Sequence, residues 1–353
     1  MSREPRGLAT SVLEAWLRAE HPNLVGESEL DATLITGGRS NLTYRVIGGP
    51  AALVLRRPPL GHVLASAHDM AREFRVISAL GGSSVPVPQA LLYRDDTDGA
   101  AGVGTPFYLM SFVDGQVLSS PAANAPYSPA QLRTLSLDLV TTLAELHSLD
   151  PATVGLEDFG RAAGYLERQV RRWGDQYDKS RSRGLPELDA LQAALRDNVP
   201  TTVSSSLVHG DFRLDNAIVR MDADGRPCIA AILDWEMATI GDSFTDLGLL
   251  GLYWDIRGIS AHAAAVAASA VDPTAGYPSF AELLDAYAGA RGTPVPELSW
   301  YLAFAAYKLA IILEGIHLRF RAGETVGPGF DTIGGLVTPL AQAGLRSLAE
   351  RTP

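Results

Sequence analysis

LVHGDFRLDNAIVR, residues 207–220, sets a polar block between two apolar runs. Residues 207–208 before the block and 217–219 after it are apolar, as expected of short β-strands. The block itself contains His209, Asp211, Arg213, Asp215 and Asn216. A folding chain normally keeps such side chains in water. Their position between two strands therefore predicts a loop that serves a function.

The spacing of carboxylates around this block indicates phosphoryl-transfer chemistry. From Asp211 the pattern is Asp-x-Arg-x-x-Asn, and Asp234 follows 23 residues later, at the end of an apolar run. Two carboxylates and an amide carbonyl supply a general base and the hard oxygen ligands that Mg²⁺-dependent phosphoryl transfer requires. Each residue alone would be explained as a polar turn that caps a strand, but the joint spacing favours the functional interpretation.

The chain changes character near residue 113, and this change predicts an α+β protein. Before it, short β-rich runs separated by turns predict an antiparallel sheet, with strands near 32–36, 42–47, 51–56, 89–94 and 106–112. One helix, expected over 66–82 with Ser66 as its N-cap, interrupts these runs. After residue 113 the periodicity is mostly helical, with segments near 128–149, 160–179, 186–198, 244–256, 280–290, 297–321 and 333–350. The exception is 203–235, where short strands surround tight turns.

These patterns predict two lobes. We expect residues 1–112 to form a small lobe with an N-terminal helix, a five-stranded antiparallel sheet and one further helix. Residues 113–353 are expected to form a larger, mainly helical lobe that carries the catalytic loop, the metal-binding loop and the acceptor site. Small-molecule sites favour the cleft between such lobes, so we expect the polar block at its floor.

Composition and charge exclude several classes of partner. With 353 residues, 46% of them hydrophobic and 20% charged, the chain can bury a sizeable core. The net charge of −11 argues against nucleic acid as the main partner. The single cysteine, Cys228, excludes an internal disulfide. The sequence leaves both a monomer and a homodimer open.

Neither a signal peptide nor a membrane span is predicted. The first twenty residues carry charges throughout and lack the apolar core of a signal peptide. The longest apolar stretch, 300–318, has Lys308 and Glu314 in its interior, which predicts a buried helix. We therefore expect a cytoplasmic protein with no membrane partner.

VHGDFRLDN (208–216) together with ILDWEMATIGDSFTDLG (232–248) resembles the aminoglycoside phosphotransferase superfamily, small-molecule kinases with a protein-kinase-like fold. Further segments resemble that family's phosphate loop, second strand pair, helix C, interlobe hinge and large-lobe helix, in the order 36–46, 53–59, 67–80, 106–115 and 143–151. The segments 66–74 and 300–323 are most similar to the subgroup that occurs alone or fused to acyl-CoA dehydrogenases. The resemblance covers residues 30–320.

The resemblance implies a role for individual residues. Asp211 would be the catalytic base, Arg213 would face the γ-phosphate of ATP, and Asn216 and Asp234 would bind Mg²⁺. The implied ATP-binding residues are Gly37, Gly38 and Ser40 over the phosphates, Arg56 paired with Glu73 on helix C, and the backbone of Met110, Ser111, Phe112 and Val113 at the adenine. Asp246 would brace the backbone of the catalytic loop.

Two departures from the family pattern bear on these roles. Arg56 stands where a lysine is expected, in a chain whose only lysines are Lys179 and Lys308. A guanidinium can still bridge a phosphate and a carboxylate, although with different geometry. Gly210 stands where protein kinases have the arginine that binds a phosphorylated activation loop, which argues against control of that type.

The acceptor is the least determined part. Residues 161–184 contain seven basic and three acidic residues, and Arg168, Arg171 and Arg172 lie on one helical face. The face is either simply solvated or lines an acceptor site for an anionic substrate such as a hydroxyacyl-CoA. The alternatives are an aminoglycoside or another sugar or amino-alcohol as acceptor, and a pseudokinase scaffold that binds nucleotide without turnover.

Overall fold

A computed structural model describes residues 4–35, 41–60, 69–202, 204–260, 266, 269–324 and 330–350. The chain divides into two compact units. One comprises Met1–Asp114 and Ala230–Glu236, and the other comprises Gly115–Ile229 and Met237–Pro353. The sequence patterns had placed residues 230–236 in the second lobe. They belong to the first unit, where the N–H of Ile232 donates to the carbonyl of Pro86 (2.8 Å).

The first unit is built on a five-stranded antiparallel sheet with the order β1-β2-β3-β5-β4. Its strands are β1 (Asp31–Leu34), β2 (Leu42–Ile47), β3 (Leu53–Arg57), β4 (Ala90–Arg94) and β5 (Phe107–Ser111). Alternation along β2 buries Tyr44 and Val46 and exposes Arg45 and Ile47. This alternation is the period expected of a half-buried strand, and it places one face of the sheet in the core.

Two helices complete the first unit. Helix α1 (Thr10–Glu20) buries Leu13 and Leu17. Helix α2 (Met70–Leu80) begins where Asp69, in an extended conformation, accepts a hydrogen bond from the N–H of Arg72. Asp69 therefore caps this helix, and the expected cap, Ser66, lies outside the described residues. The N-cap lies three residues later than the sequence suggested, because serine and aspartate are both good N-caps and the pattern alone does not choose between them.

The second unit is mainly helical. Its described helices are α3 (Pro129–Ser148), α4 (Tyr165–Ser180), α5 (Pro186–Asp197), α6 (Phe244–Ile259), α7 (Phe280–Arg291), α8 (Ser299–Arg321) and α9 (Val337–Ala349). Helix α3 starts with a capping box in which Ser128 and Gln131 bond each other's backbone. Such caps satisfy the free N–H groups of the first turn and fix where the helix begins.

Short strands position the polar block. Strand β7 (Ser205–Val208) pairs antiparallel with β10 (Thr239–Asp242), and a three-stranded sheet has the order β6 (Gln116–Val117), β8 (Ala217–Met221), β9 (Pro227–Ile232). The polar block lies between β7 and β8. Strand β10 was not predicted, because its sequence, TIGD, contains glycine and aspartate, which are depleted in strands.

Helix α8 is the long apolar helix of the sequence. Among the helices of the described ranges it alone has the length and composition to cross a membrane, and 61% of its apolar window is buried inside the protein. The core helix of a globular protein meets the same criterion. Its fully buried Glu314 accepts hydrogen bonds from Ser182 (2.7 Å) and Arg183 (2.9 Å), so the polar position of this helix is satisfied internally.

Candidate active site

In the first unit, Arg56 lies between two carboxylates. Its Nε donates to Glu73 Oε2 (2.9 Å), and its Nη2 donates to Asp234 Oδ1. Glu73 is 1% exposed and also accepts from the hydroxyl of Tyr108 (2.8 Å). Burial alone would lower the pKa of Arg56, but Glu73, Tyr108 and Asp234 together raise it above its ordinary value. The residue is therefore a permanent cation, and the expected pair of Arg56 with Glu73 is present.

A cluster of three carboxylates surrounds this arginine. Oxygens of Glu73, Asp234 and Glu236 lie within 4.8 Å of one another, and Asn41 donates to Glu236 (3.2 Å). Hard carboxylate oxygens at such separations suit Mg²⁺. Asp234 is also the one non-glycine residue of the described chain with a positive φ, +66°. Backbone strain of this kind concentrates at functional sites, so both observations mark the segment after β9 as a ligand-binding segment.

Of the expected ATP-binding residues of the first unit, the structure describes those at the adenine but not those over the phosphates. Gly37, Gly38 and Ser40 lie outside the described residues. At the end of β5, the N–H of Ser111 is bonded to Gln89 O (2.9 Å) and that of Phe112 to Ala52 O (3.1 Å).

These backbone bonds limit which N–H groups of residues 110–113 can donate to adenine. Met110 lies within the paired part of β5, opposite Val54 of β3 and Ala90 of β4. The N–H groups of Ser111 and Phe112 are not free to meet adenine, because the sheet and its edge already use them. Val113 lies just beyond the strand, and its N–H has no hydrogen-bond partner in the part of the chain that the structure describes.

In the second unit, hydrogen bonds join three residues of the polar block, His209, Asp211 and Asn216. Asn216 Nδ2 donates to both the carbonyl oxygen (2.8 Å) and Oδ2 (2.9 Å) of Asp211. The N–H of Asp211 donates to Nδ1 of His209 (3.2 Å). Because its amide nitrogen faces Asp211, Asn216 keeps its oxygen Oδ1 free of donors within the described ranges. That oxygen is the kind of ligand Mg²⁺ takes, so the residues present fit the metal that the sequence implied.

Gly210 is required at its position by geometry. Its φ is +85°, and a Cβ there would lie 2.8 Å from the carbonyl oxygen of Met237. Only glycine adopts such a conformation without strain. An arginine, which protein kinases have at this position, would not fit in this loop.

Asp246, in the first turn of α6, holds the polar block through the backbone N–H groups of His209 and Gly210. It accepts from the N–H of His209 (2.7 Å), from the N–H of Gly210 (2.8 Å) and from Nε2 of His147 (3.2 Å). Burial would raise the pKa of Asp246, but the donors from His147 and His209 lower it below its ordinary value. The bracing contact that the resemblance implied is therefore present, and the ring of His147 supplies a third donor.

His147 makes stability depend on pH. Its Nε2–H donates to Asp246 and its Nδ1 accepts from the hydroxyl of Tyr287 (2.8 Å), the tautomer that these partners assign. Burial lowers the pKa of His147 below its ordinary 6.5, in spite of Asp246. Below pH 6.5 the unfolded chain therefore binds a proton that the folded chain does not. We expect the free energy of unfolding to fall as the pH falls below about 6.5, by up to about 1.4 kcal/mol per unit.

Urea unfolding at several pH values checks this dependence. The variant His147→Gln is expected to lose that part of the slope, because glutamine keeps hydrogen-bonding capacity but does not titrate. Equal slopes in the variant and the wild type would show that His147 is not the group responsible.

Arg213 and Asp215 form a pair beside the catalytic loop. Arg213 Nη2 donates to Asp215 Oδ2, and the guanidinium lies 4.4 Å from the ring centroid of Tyr253. Burial raises the pKa of Asp215 to about 6, although Arg213 opposes the shift. The pair borders a small pocket lined by Arg213, Leu214, Asp215, Leu250, Tyr253, Trp254, Ser269, Ala270 and Val271. Asp215, for which the sequence suggested no role, therefore holds Arg213 in place.

The basic face of α4 is smaller than its sequence suggests. Arg168 donates to the carbonyls of Arg161 and Ala163, so it serves the turn that precedes its own helix. Arg171 and Arg172 are exposed, and neither has an ion-pair partner in the described part of the chain. Two arginines, not three, are therefore available to a ligand on this face.

Several residues that contact the candidate site were not predicted from the sequence. Glu236 could have been predicted, because it places a second carboxylate two residues after Asp234 in the sequence Asp-Trp-Glu. Asn41 and Tyr108 carried no signal, since their contacts come from segments far apart in the chain. Lys308 carried a weak one, as one of two lysines.

Comparison with known proteins bears on the family and the fold of this chain. The sequence profile described as Phosphotransferase enzyme family matches residues 31–283. Acyl-CoA dehydrogenase family member 11 of Pongo abelii is 34% identical over 353 residues, which cover 96% of this chain and 43% of that protein. The chain thus spans less than half the length of this curated relative.

Two crystal structures give the fold. A Ralstonia eutropha JMP134 protein assigned to the aminoglycoside phosphotransferases is 30% identical, with a TM-score of 0.80 over 98% of this chain and 100% of that chain. Aminoglycoside phosphotransferase APH(4)-Ia, in a ternary complex with AMP-PNP and hygromycin B, is 15% identical, with a TM-score of 0.62 over 97% and 100%. The predicted fold class, α+β of the protein-kinase-like type, is confirmed by these likenesses.

Proposed function

Because the chain belongs to the phosphotransferase enzyme family, we propose that it transfers the γ-phosphoryl group of ATP, with Mg²⁺, to a hydroxyl group of a small anionic molecule. That it is a phosphotransferase with an alcohol acceptor follows from the family. The nucleotide, the metal and the acceptor are the proposal. The hydrogen-bonded pair of Asp211 and Asn216 carries it, since it leaves one carboxylate oxygen for a proton and one amide oxygen for a metal.

Asp211 would act as the general base. Its carboxylate accepts the proton of the acceptor hydroxyl while that oxygen attacks the γ-phosphorus, and the bond from the γ-phosphorus to the bridging oxygen breaks to release ADP. Asn216 Oδ1 and the carboxylate of Asp234 would hold Mg²⁺, which when bound neutralises charge on the phosphates. The hydrogen bond from Asn216 would orient the Asp211 carboxylate toward the acceptor hydroxyl.

Arg56 and Arg213 would supply fixed positive charge. Arg56, oriented by Glu73, replaces the family's lysine on the phosphates and remains charged at every working pH. Arg213, held by Asp215 and stacked on Tyr253, would face the γ-phosphate. We further propose that Gly37, Gly38 and Ser40 cover the phosphates and that Val113 meets the adenine.

For the acceptor we propose a hydroxyacyl-CoA. Two observations support an anionic CoA ester. The curated relatives are acyl-CoA dehydrogenase family members, and Arg171 and Arg172 are exposed on α4 without ion-pair partners in the described ranges. A polycationic aminoglycoside would be repelled by these arginines. An amino-alcohol or sugar acceptor remains the second candidate class.

A panel of acceptors tests this assignment. ATP turnover is measured with hydroxybutyryl-CoA isomers and with aminoglycosides, in the wild type and in the double variant Arg171→Glu/Arg172→Glu. We expect turnover of the CoA esters, and the double variant is expected to lower kcat/KM for them by about tenfold at low salt, mainly through KM. Arg319→Glu/Arg321→Glu, the same charge change at exposed positions of α8, is the matched control. Preferential turnover of the aminoglycosides would overturn the acceptor class.

A further inference from the structure

Lysine is scarce in this chain, and one of its two lysines is largely enclosed beside the catalytic loop. The chain has 29 lysine and arginine residues, of which only Lys179 and Lys308 are lysines. Lys179 is exposed on α4, whereas Lys308 lies in the middle of α8. A guanidinium is larger and planar, with a fixed fork of donors, whereas an ammonium is compact. In a chain that otherwise uses arginine, an enclosed lysine therefore indicates a position that needs the smaller cation.

The contacts of Lys308 lead to the residue before the catalytic base. Its Nζ donates to the carbonyl oxygen of Gly210 (3.3 Å). The same ammonium lies 5.3 Å from the ring centroid of Trp173 on α4, within the range of a cation–π interaction. These two contacts fix the ammonium between the catalytic loop and α4.

Gly210 is held on both sides of its backbone. Its N–H donates to Asp246 (2.8 Å), and its carbonyl accepts from Lys308. That carbonyl belongs to the peptide bond that joins Gly210 to Asp211. Glycine adopts many backbone conformations, including the positive φ of Gly210. The residue itself therefore does little to fix the orientation of the peptide that follows it. The N–H of the same peptide donates to Nδ1 of His209, so Lys308 and His209 together hold the direction of the peptide that carries Asp211.

The charges around Lys308 also point to Asp211. Burial lowers the pKa of the Lys308 ammonium, while Asp211 and then Asp246 raise it, and Arg172 on α4 lowers it further. Among the acidic groups around Lys308, Asp211 therefore favours the charged form of this ammonium most. In partly desolvated surroundings such an interaction is screened less than at the surface.

We infer that Lys308 is a positioning residue for the phosphoryl transfer, because its ammonium donates to the carbonyl of Gly210 and so helps to orient the Gly210–Asp211 peptide. The inference rests on the proposed function, in which Asp211 is the base. A base that is displaced by about 1 Å can cost 100-fold in rate. Lys308 thus acts through Asp211 and not by touching the nucleotide.

Kinetics of matched variants test the inference. Lys308→Met keeps the length of the side chain and removes the ammonium, and we expect kcat with hydroxybutyryl-CoA to fall by roughly 10- to 100-fold with an unchanged KM for ATP. Lys179→Met makes the same change at the exposed lysine and is expected to leave kcat unchanged. Lys308→Ala leaves space for a small amine, so n-propylammonium is expected to raise its kcat in a saturable manner. The amine should not help Lys308→Met, whose side chain fills that space.

The outcomes separate this inference from the proposed function. A wild-type kcat in Lys308→Met, or no effect of n-propylammonium on Lys308→Ala, overturns the role of Lys308. If the wild type phosphorylates no acceptor, the proposed function fails instead. The amide hydrogen exchange of residues 209–212 then decides, because faster exchange in Lys308→Met than in Lys179→Met supports the positioning role and equal exchange overturns it.

Discussion

Replacing Asp211 by asparagine is expected to lower kcat by about 100- to 10,000-fold, the usual contribution of a positioned general base. Asparagine has the shape of aspartate, and its carbonyl oxygen can still accept from Asn216 Nδ2, which now lies 2.9 Å from Asp211 Oδ2. The loop is therefore expected to keep its structure while it loses the group that takes the proton. Nucleotide affinity should change little, because the base acts on the acceptor.

Kinetics and calorimetric titration with ATP analogues check both halves of this prediction. Asp224→Asn, the same change in the exposed turn between β8 and β9, is the control and is expected to keep its full kcat. A variant at Asp211 that turns over as fast as the variant at Asp224 would remove Asp211 from the mechanism.

Asp246→Asn is expected to show the second large effect, on both stability and activity. The aspartate accepts three hydrogen bonds, from the backbone of His209 and Gly210 and from the ring of His147, and it is fully buried. One of the two terminal atoms of an asparagine is a donor, so at least one buried N–H must lose its acceptor. We expect a loss of about 3 kcal/mol in the free energy of unfolding. Since the same contacts orient Gly210, kcat should also fall, by about 100-fold.

Urea unfolding and steady-state kinetics measure the two effects in one preparation. Asp285→Asn, at an exposed position of α7, is the matched control and is expected to change neither quantity. If Asp246→Asn unfolds at the same urea concentration as Asp285→Asn and keeps its kcat, then Asp246 does not hold the catalytic loop.

Local patterns were enough to predict most elements of the fold. The alternation of residues 42–47 predicted β2, and the apolar spacing of residues 128–149 predicted α3, because these patterns report a half-buried strand and an amphipathic helix directly. Strand β10 was missed because its four residues have a weak strand preference. Residues 230–236 belong to the first unit, where Ile232 bonds to Pro86, and the sequence carries no local signal for this contact between distant segments.

Residue type and spacing alone singled out Asp211, Asn216 and Asp234, and their roles stay a prediction. The pair of Arg56 and Glu73 followed from the family pattern, and the structure brings the two side chains within 2.9 Å. For this pair the family pattern predicted which two side chains contact each other.

The supporting contacts were harder to predict, because they join distant segments. His147 and Asp246 are 99 residues apart, and Lys308 and Gly210 are 98 residues apart. Asp215 is only two residues from Arg213, yet its role depends on burial, which the sequence does not show. Residues that act by positioning others therefore became visible only in the folded chain.

The central claim is that Asp211 on this chain takes the proton of a hydroxyl that receives the γ-phosphoryl group of ATP. One reaction tests it most directly, with wild-type protein, ATP, Mg²⁺ and hydroxybutyryl-CoA, followed by mass spectrometry of ATP, ADP and acceptor together. The account predicts one phosphorylated acceptor for each ADP formed in the wild type, and neither product above background with Asp211→Asn. Nucleotide binding by the wild type without formation of ADP or a phosphorylated acceptor, across the full acceptor panel, would contradict it.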